Sequence, residues 1–404
     1  MKNFDYPRIY FYVIIAFAFT LPLSRAAISV LMGFIAIVWI VEGNFKYTLS
    51  QIVTNRVLKS IALFLIFAAL SLLWTQDKAE GLSFLRLYGY WTVLFIIATV
   101  IQKKDIKNII TAFLLGMFVS EIIAYGVYFE LWTFKNATVS NPSPFMFWID
   151  YSIFMAFTSL LLLSRLFSKD FTVQQKLFIF LFFLSTTGNL FLTQGRTGQV
   201  ALLAGIVVML FLYLKPSIKS FFIGTILLVS IYGGAYTMSD TFQNRVSHAI
   251  NDINLMKENN FDSSWGIRVV YWMITYDVVK EHPLIGVGLG DYETIVHYYV
   301  EKNDYPISQQ TKEFIVSHHA HNQFLMVLIQ TGLIGFILLL NIIYSIITLK
   351  IYNDEIKKLS ILFITIFFVS CMAEPLWFKQ FTIVLFVLFI GLFSSKSNLI
   401  RKIL

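Results

Sequence analysis

The feature that most constrains this chain is the length of its apolar runs. They recur at about 18 to 25 residues, the length with which an α-helix crosses the hydrocarbon core of a bilayer, and short polar joints separate them. Lipid offers the backbone no hydrogen-bond partner, so such runs must satisfy their own N–H and C=O groups as helices. Candidate spans fall near 8–23, 26–42, 57–74, 84–101, 108–130, 147–164, 177–193, 197–214, 220–238, 324–348, 359–374 and 380–395. Only 13% of residues are charged, against roughly 25% in soluble domains, which excludes an ordinary soluble enzyme and a disordered chain. A membrane β-barrel is excluded as well, because its spans are short and alternate apolar with polar. The expected fold is all-α: a polytopic integral membrane protein with about twelve transmembrane helices.

The net charge of +8 reads as a topology signal, and nucleic acid is not an expected partner, because the basic residues are scattered between apolar spans. With the N-terminus in the cytoplasm, about 19 lysines and arginines fall on inner segments and about 6 on short outer ones, a positive-inside bias. The inner clusters are Lys103, Lys104 and Lys107; Arg165, Lys169 and Lys176; Lys350, Lys357 and Lys358; and Lys396, Arg401 and Lys402. An even number of spans returns the C-terminus to the cytoplasm. The first apolar run passes directly into a second span and reads as a retained helix, not a cleavable leader. The single cysteine, Cys371, permits no intrachain disulfide and no cysteine metal cluster.

This topology divides the chain into transmembrane helices 1–9 (1–238), one large outward loop (239–320) and transmembrane helices 10–12 (321–404). A loop of about 80 residues is long enough to carry function. Within it, Ile267, Val270, Tyr271, Ile274 and Val278 keep the spacing of one helix face, with Ser263 and Ser264 placed as caps. An amphipathic helix is expected over 265–280. Charges inside spans are costly and informative. Here they are Arg86, Glu121 and Asp150, with Arg25, Glu130, Arg196 and Glu374 at span edges. All fall in the outward half, which points to a polar cavity beneath the loop.

Three constellations carry chemistry. Gly195-Arg196-Thr197-Gly198 lies at the outer junction of two spans, where the glycines allow a tight turn and the arginine can face an anion. Trp265-Gly266-Ile267-Arg268 puts a cation in a helix's first turn, against the macrodipole; a bound anion would make that favourable. It is followed by His282-Pro283-Leu284-Ile285-Gly286-Val287-Gly288-Leu289-Gly290, whose glycines follow no strand and are not a dinucleotide fingerprint. The third is Ser317-His318-His319-Ala320-His321-Asn322, leading into the tenth span and to Gly332 and Gly335. Three histidines in one short stretch rarely converge on a metal. One neutral imidazole can instead accept a proton from a hydroxyl.

Together these residues resemble the O-antigen ligase family, within a wider group that includes O-antigen polymerases and pilin oligosaccharyltransferases. The likeness covers most of the chain. Its most specific element is His321-Asn322, nine residues, Gly332, two residues, Gly335; the Arg268-to-Gly290 stretch and Gly195-Arg196 add to it. The resemblance implies a C-type membrane glycosyltransferase in the bacterial inner membrane, with its large helical loop and active site periplasmic. It would be inverting, metal-independent and without cofactor. It would move a glycan from undecaprenyl pyrophosphate to a sugar hydroxyl of the lipid A core, among membrane lipids. The resemblance assigns catalysis to His321, Arg268 and Arg196. Arg196 and Arg268 would hold the pyrophosphate, and His321 would orient or deprotonate the acceptor. Asn322, Arg25, Arg86 and Gly288 are expected to contact pyrophosphate or acceptor. The Arg-three-residues-Leu pattern quoted for ligases is absent, so a polymerase joining lipid-linked units stays open. The single dominant loop favours the ligase. A lipid-linked glycan flippase would show repeated halves and charges facing both sides.

Overall fold

The computed structural model describes residues 4–214 and 218–395. The basic cluster Lys396, Arg401 and Lys402 lies outside the described residues. Helices follow one another as α1 (Tyr6–Thr20), α2 (Arg25–Glu42), α3 (Phe45–Thr54), α4 (Arg56–Leu70), α5 (Lys78–Tyr88), α6 (Trp91–Val100), α7 (Ile106–Tyr128), α8 (Trp148–Phe167), α9 (Val173–Leu192) and α10 (Arg196–Tyr213). They continue as α11 (Ile218–Met238), α12 (Asp240–Lys257), α13 (Gly266–Glu281), α14 (Tyr292–Lys302), α15 (Gln309–Val316), α16 (Gln323–Ile347), α17 (Asp354–Cys371) and α18 (Gln380–Phe393). Among the described residues there is no named strand.

Among the described residues, eight helical stretches are long and apolar enough to cross a membrane, from Arg25–Glu42 to Gln323–Ile347, and Tyr6–Thr20, Gly224–Met238 and Gln380–Phe393 are shorter apolar helices. Each expected span falls on helical structure, the fourth divided between α5 and α6. The fourth begins earlier than expected, because Asp77 Oδ1 accepts from the Glu80 N–H at 2.9 Å and caps α5. The short helix α3, between the second and third spans, was not foreseen.

Segments that the sequence assigns to one membrane face touch each other. On the face expected to be outward, Gln76 and Asp77 N–H groups donate to Asp291, Arg245 donates to Gln194, and Lys379 lies 3.5 Å from Asp150. On the other, Tyr10 donates to Glu42, Asn55 to the Ser394 carbonyl, and Lys107 pairs with Asp170.

At the centre α8 packs against α9, α10 and α17. Lipid provides no hydrophobic drive between helices, so close contact depends on small residues. A Cβ on Gly198 would sit 2.1 Å from the Ser152 carbonyl oxygen, and one on Gly195 would sit 2.2 Å from Ser152 Cβ. Both have negative φ. Gly195 lies in the short turn from α9 to α10, as expected, and both glycines also let α10 approach α8 closely.

The expected amphipathic helix is α13, capped by Ser263 Oγ, which accepts from the Gly266 N–H at 3.1 Å. Its buried face, Val270, Tyr271, Ile274 and Val278, joins residues of α14 and α15 in a second apolar cluster. Leu325, Met326 and Ile329 of α16 belong to this cluster too, so the first turns of α16 pack with the loop that precedes them.

The tenth span is not one continuous helix. At Gly332 (φ 59°, ψ −163°) α16 breaks, and the 333→329 and 334→330 backbone bonds are lost. The His282–Gly290 segment replaces them group for group. Val287 N–H donates to the Ile329 carbonyl (3.0 Å) and Gly288 N–H to that of Gln330 (2.9 Å). Leu333 N–H donates to the Pro283 carbonyl (2.9 Å) and Ile334 N–H to that of Leu284 (3.1 Å). Inside a membrane protein a broken helix must be satisfied in this way. Gly286 and Gly332 are required on both sides: φ is positive at each, and a Cβ on either would come within 2.5 Å of the other strand's backbone. Two glycine motifs distant in sequence are thus one structural joint.

Candidate active site

The joint fixes the start of α16, and His321 stands just before it. Its backbone has φ 44°, a left-handed conformation that costs a non-glycine residue about 1–3 kcal/mol. The ring is held on one side: Nδ1 lies 3.0 Å from Oε2 of Glu374, which is 1% exposed. A carboxylate there can only accept, so Nδ1 carries the hydrogen and Nε2 is left as the basic nitrogen. Burial alone would raise the Glu374 carboxyl, but the His321 hydrogen bond and the Lys379 ammonium outweigh it and bring it to about 2. Lys379 Nζ is 2.5 Å from Glu374 Oε1 and also faces buried Asp150.

His319 Nε2 stands 3.7 Å from Glu374 Oε1, and its ring meets that of His321 at 4.8 Å. Burial lowers it to about 4, so it is neutral near pH 7. Two of the three histidines therefore converge, contrary to expectation. They do so on a carboxylate hidden to sequence reasoning by its separation of 53 residues from His321. His318 turns away and stacks on Phe314. His319, His321 and Glu374 could present three ligand atoms to a metal. The Lys379 ammonium already occupies the carboxylate, though, and supplies the charge a cation would bring.

On the other side are arginines. Arg196 opens α10 and Arg268 lies in the first turn of α13; the two are close enough to repel, with Arg245 beside Arg196. Arg245 Nη2 donates to Gln194 at 2.8 Å. Arg268 Nη1 donates to the Ser264 carbonyl at 2.7 Å. Asp262, close by in sequence, does not pair with Arg268: it accepts from the Ser308 N–H and hydroxyl. Burial disfavours the charge of Arg268, while Glu374, Asp252 and Tyr271 support it. Arg268 Nε and Arg196 Nη1 are both buried without a partner. Unpaired buried donors are costly. Three guanidinium groups, two orphan N–H groups and two helix N-termini, which outnumber the nearby acids Glu374 and Asp252, make a receptor for an anion. Tyr271 links the halves: it senses the Arg268 charge, and its ring lies 6.3 Å from that of His321.

The structure thus gathers Arg196, Arg268 and His321. Asn322 is adjacent but occupied: Oδ1 accepts from Phe324 and Leu325 N–H groups (2.9 and 3.2 Å), and Nδ2 donates to the Met372 carbonyl (3.2 Å). It caps α16 and ties it to the end of α17. Gly288 belongs to the backbone joint and packs on Thr75. Arg25 is exposed, with its guanidinium 5.3 Å from the Phe381 ring. Arg86 is exposed and makes no side-chain hydrogen bond or ion pair among the described residues. Glu121 stays in the α7–α9 packing, where Thr186 donates to it at 2.8 Å. Sequence reasoning missed Lys379 and Arg245, and it treated Glu374 and Asp150 only as costly charges, which was the one available signal.

Residues 178–340 match the family described as O-antigen ligase. That span runs from α9 into α16 and includes Arg196, Arg245, Arg268, His321 and the glycine joint. A Haemophilus influenzae protein described as uncharacterized is 31% identical over 179 residues, 42% of this chain and 44% of that protein; the aligned region thus spans under half the length of this relative. Over residues 178–340, the stretch that carries Arg196, Arg268, His321 and the paired glycines, the chain is similar to the O-antigen ligase family.

Proposed function

We propose that the chain is a membrane glycosyltransferase of the outer face of the bacterial inner membrane. It transfers a glycan from undecaprenyl pyrophosphate to a sugar hydroxyl of the lipid A core. The observation that carries this reading is the His321–Glu374 pair, with Nε2 left basic, beside arginines whose buried N–H groups lack partners.

The acceptor oxygen attacks the anomeric carbon from the face opposite the leaving group, which inverts its configuration. The C–O bond to pyrophosphate breaks as the new glycosidic bond forms. The hydroxyl proton passes to His321 Nε2, and Glu374 stabilises the imidazolium as it forms. The leaving undecaprenyl pyrophosphate takes the electron pair. Its growing negative charge falls among Arg196, Arg245 and Arg268, whose donors are in place before the reaction. Those guanidinium groups provide the countercharge to the leaving group from the protein itself.

The test is to supply the chain to a ligase-deficient strain that still makes lipid-linked O-antigen, with a matching core, and to examine the lipopolysaccharide bands. A restored ladder supports the ligase. A bare core together with longer lipid-linked chains identifies a polymerase using the same donor chemistry.

A further inference from the structure

A cavity of about 340 Å³ lies between α5 and the α14–α15 part of the loop, with Glu80, Phe84, Tyr292, Glu293, His319 and Phe378 among its lining. That volume lies in the range of small-ligand sites. His319 lines it, and the His319 ring touches that of His321. Outward it adjoins a second cavity of about 490 Å³, and the two share Glu80 and Glu293. No lysine or arginine lines either one. Glu80 and Glu293 sit in the first turns of α5 and α14, where the macrodipole favours negative charge. Neither forms an ion pair among the described residues. Tyr292 is 5% exposed, and its hydroxyl is buried with no hydrogen-bond partner. Buried polar groups in folded proteins nearly always have a partner, and this hydroxyl beside the cleft has none among the described residues.

We infer that this cleft binds the acceptor as an oligosaccharide whose sugars facing Glu80 and Glu293 carry no phosphate. Aromatic faces at Phe84 and Phe378 suit the apolar faces of sugar rings, and carboxylates accept from their hydroxyls. A phosphate in the same place would meet like charge without a countercation. The two substrates are thereby separated by charge: the pyrophosphate on the arginine side, the acceptor sugar on the acidic side. The inference rests on the transfer reading for the word acceptor, but the cleft's binding can be measured without any transfer.

The experiment uses the full chain purified in lipid nanodiscs. The probes are the core oligosaccharide released from lipopolysaccharide by mild acid and dephosphorylated with hydrofluoric acid, and the same oligosaccharide phosphorylated chemically on the terminal sugars that bear the acceptor hydroxyl. Calorimetry should show the dephosphorylated probe binding about tenfold more tightly than the phosphorylated one. The Glu80→Gln, Glu293→Gln double variant should lose that preference, and Tyr292→Phe should weaken binding of the dephosphorylated probe several-fold. The phosphorylated probe has only to bind as well as the other, or neither to bind up to millimolar concentration, for the inference to be overturned. Retention of the preference in the double variant overturns it equally. If the double variant does not fold, the wild-type preference and Tyr292→Phe decide. A chain that shows the preference but transfers no lipid-linked glycan would sink the transfer reading and leave the cleft standing. A chain that transfers but shows no preference would do the reverse.

Discussion

His321 Nδ1 lies 3.0 Å from Glu374 Oε2, and this bond fixes which ring nitrogen is free. It also accounts for a buried carboxylate in the joint between the last two helices. The strain of His321 in left-handed backbone is held by its neighbours: Asn322 caps the helix behind it, and Glu374 grips the ring in front.

Replacing Glu374 with glutamine removes the charge that stabilises the imidazolium and frees the ring to adopt the other tautomer. We expect transfer to fall by about 10²–10⁴ in kcat, with donor KM nearly unchanged. Single-turnover transfer in purified protein measures this; a fall confined to donor KM would contradict the assignment.

The arginines divide by how committed they already are. Arg196→Ala and Arg268→Ala each remove an unpartnered buried donor and should cost about 10²–10³ in kcat. Arg245 is already bonded to Gln194, so Arg245→Ala should cost less. Kinetics at matched membrane expression would rank them, and wild-type rates for Arg268→Ala would remove it from the site.

Acid should destabilise the protein in two stages. Both Glu374, at about 2, and His319, at about 4, lie below their ordinary values. A depressed folded value means that the unfolded chain binds more protons on acidification, so stability is full above the ordinary value and is lost as pH falls. For His319 the window runs from about 6.5 down to about 4, and for Glu374 from about 4.3 down to about 2. Tm should drop between pH 7 and 4. His319→Gln should flatten the upper part of that drop; an unchanged slope would argue against a depressed value at His319.

Gly286→Ala places a methyl 2.5 Å from the Ile329 carbonyl oxygen at φ +65°, and Gly332→Ala meets the same joint from the other side. Each should lower stability by at least about 1–3 kcal/mol and split the joint, seen as faster protease cleavage near residues 283–290. Gly33→Ala, with open space around it, is the silent control.

Asn322→Ala should act on stability, at about 0.5–2 kcal/mol for a lost cap, while Asn322→Asp retains the acceptor and most of the stability. Thermal melts of the two variants beside transfer assays separate capping from substrate contact: equal loss of activity at full stability in both would restore the substrate role.

The sequence by itself determined where the long apolar helices lie, because apolar run length and capping residues act locally and lipid leaves the backbone one solution. It determined α13 through its spacing, and it marked Arg196, Arg268 and His321, since charge beside apolar spans is costly wherever the chain goes. It also marked the glycine stretches at 286–290 and 332–335 as unusual. Tertiary structure alone decided that those stretches stitch one broken helix, because the exchange joins residues about 45 positions apart. It alone decided that Glu374 orients His321, that Lys379 holds two buried carboxylates, and that Asn322 and Gly288 are committed to backbone. A side chain's partner across a bundle depends on how helices pack, and no local pattern carries that information.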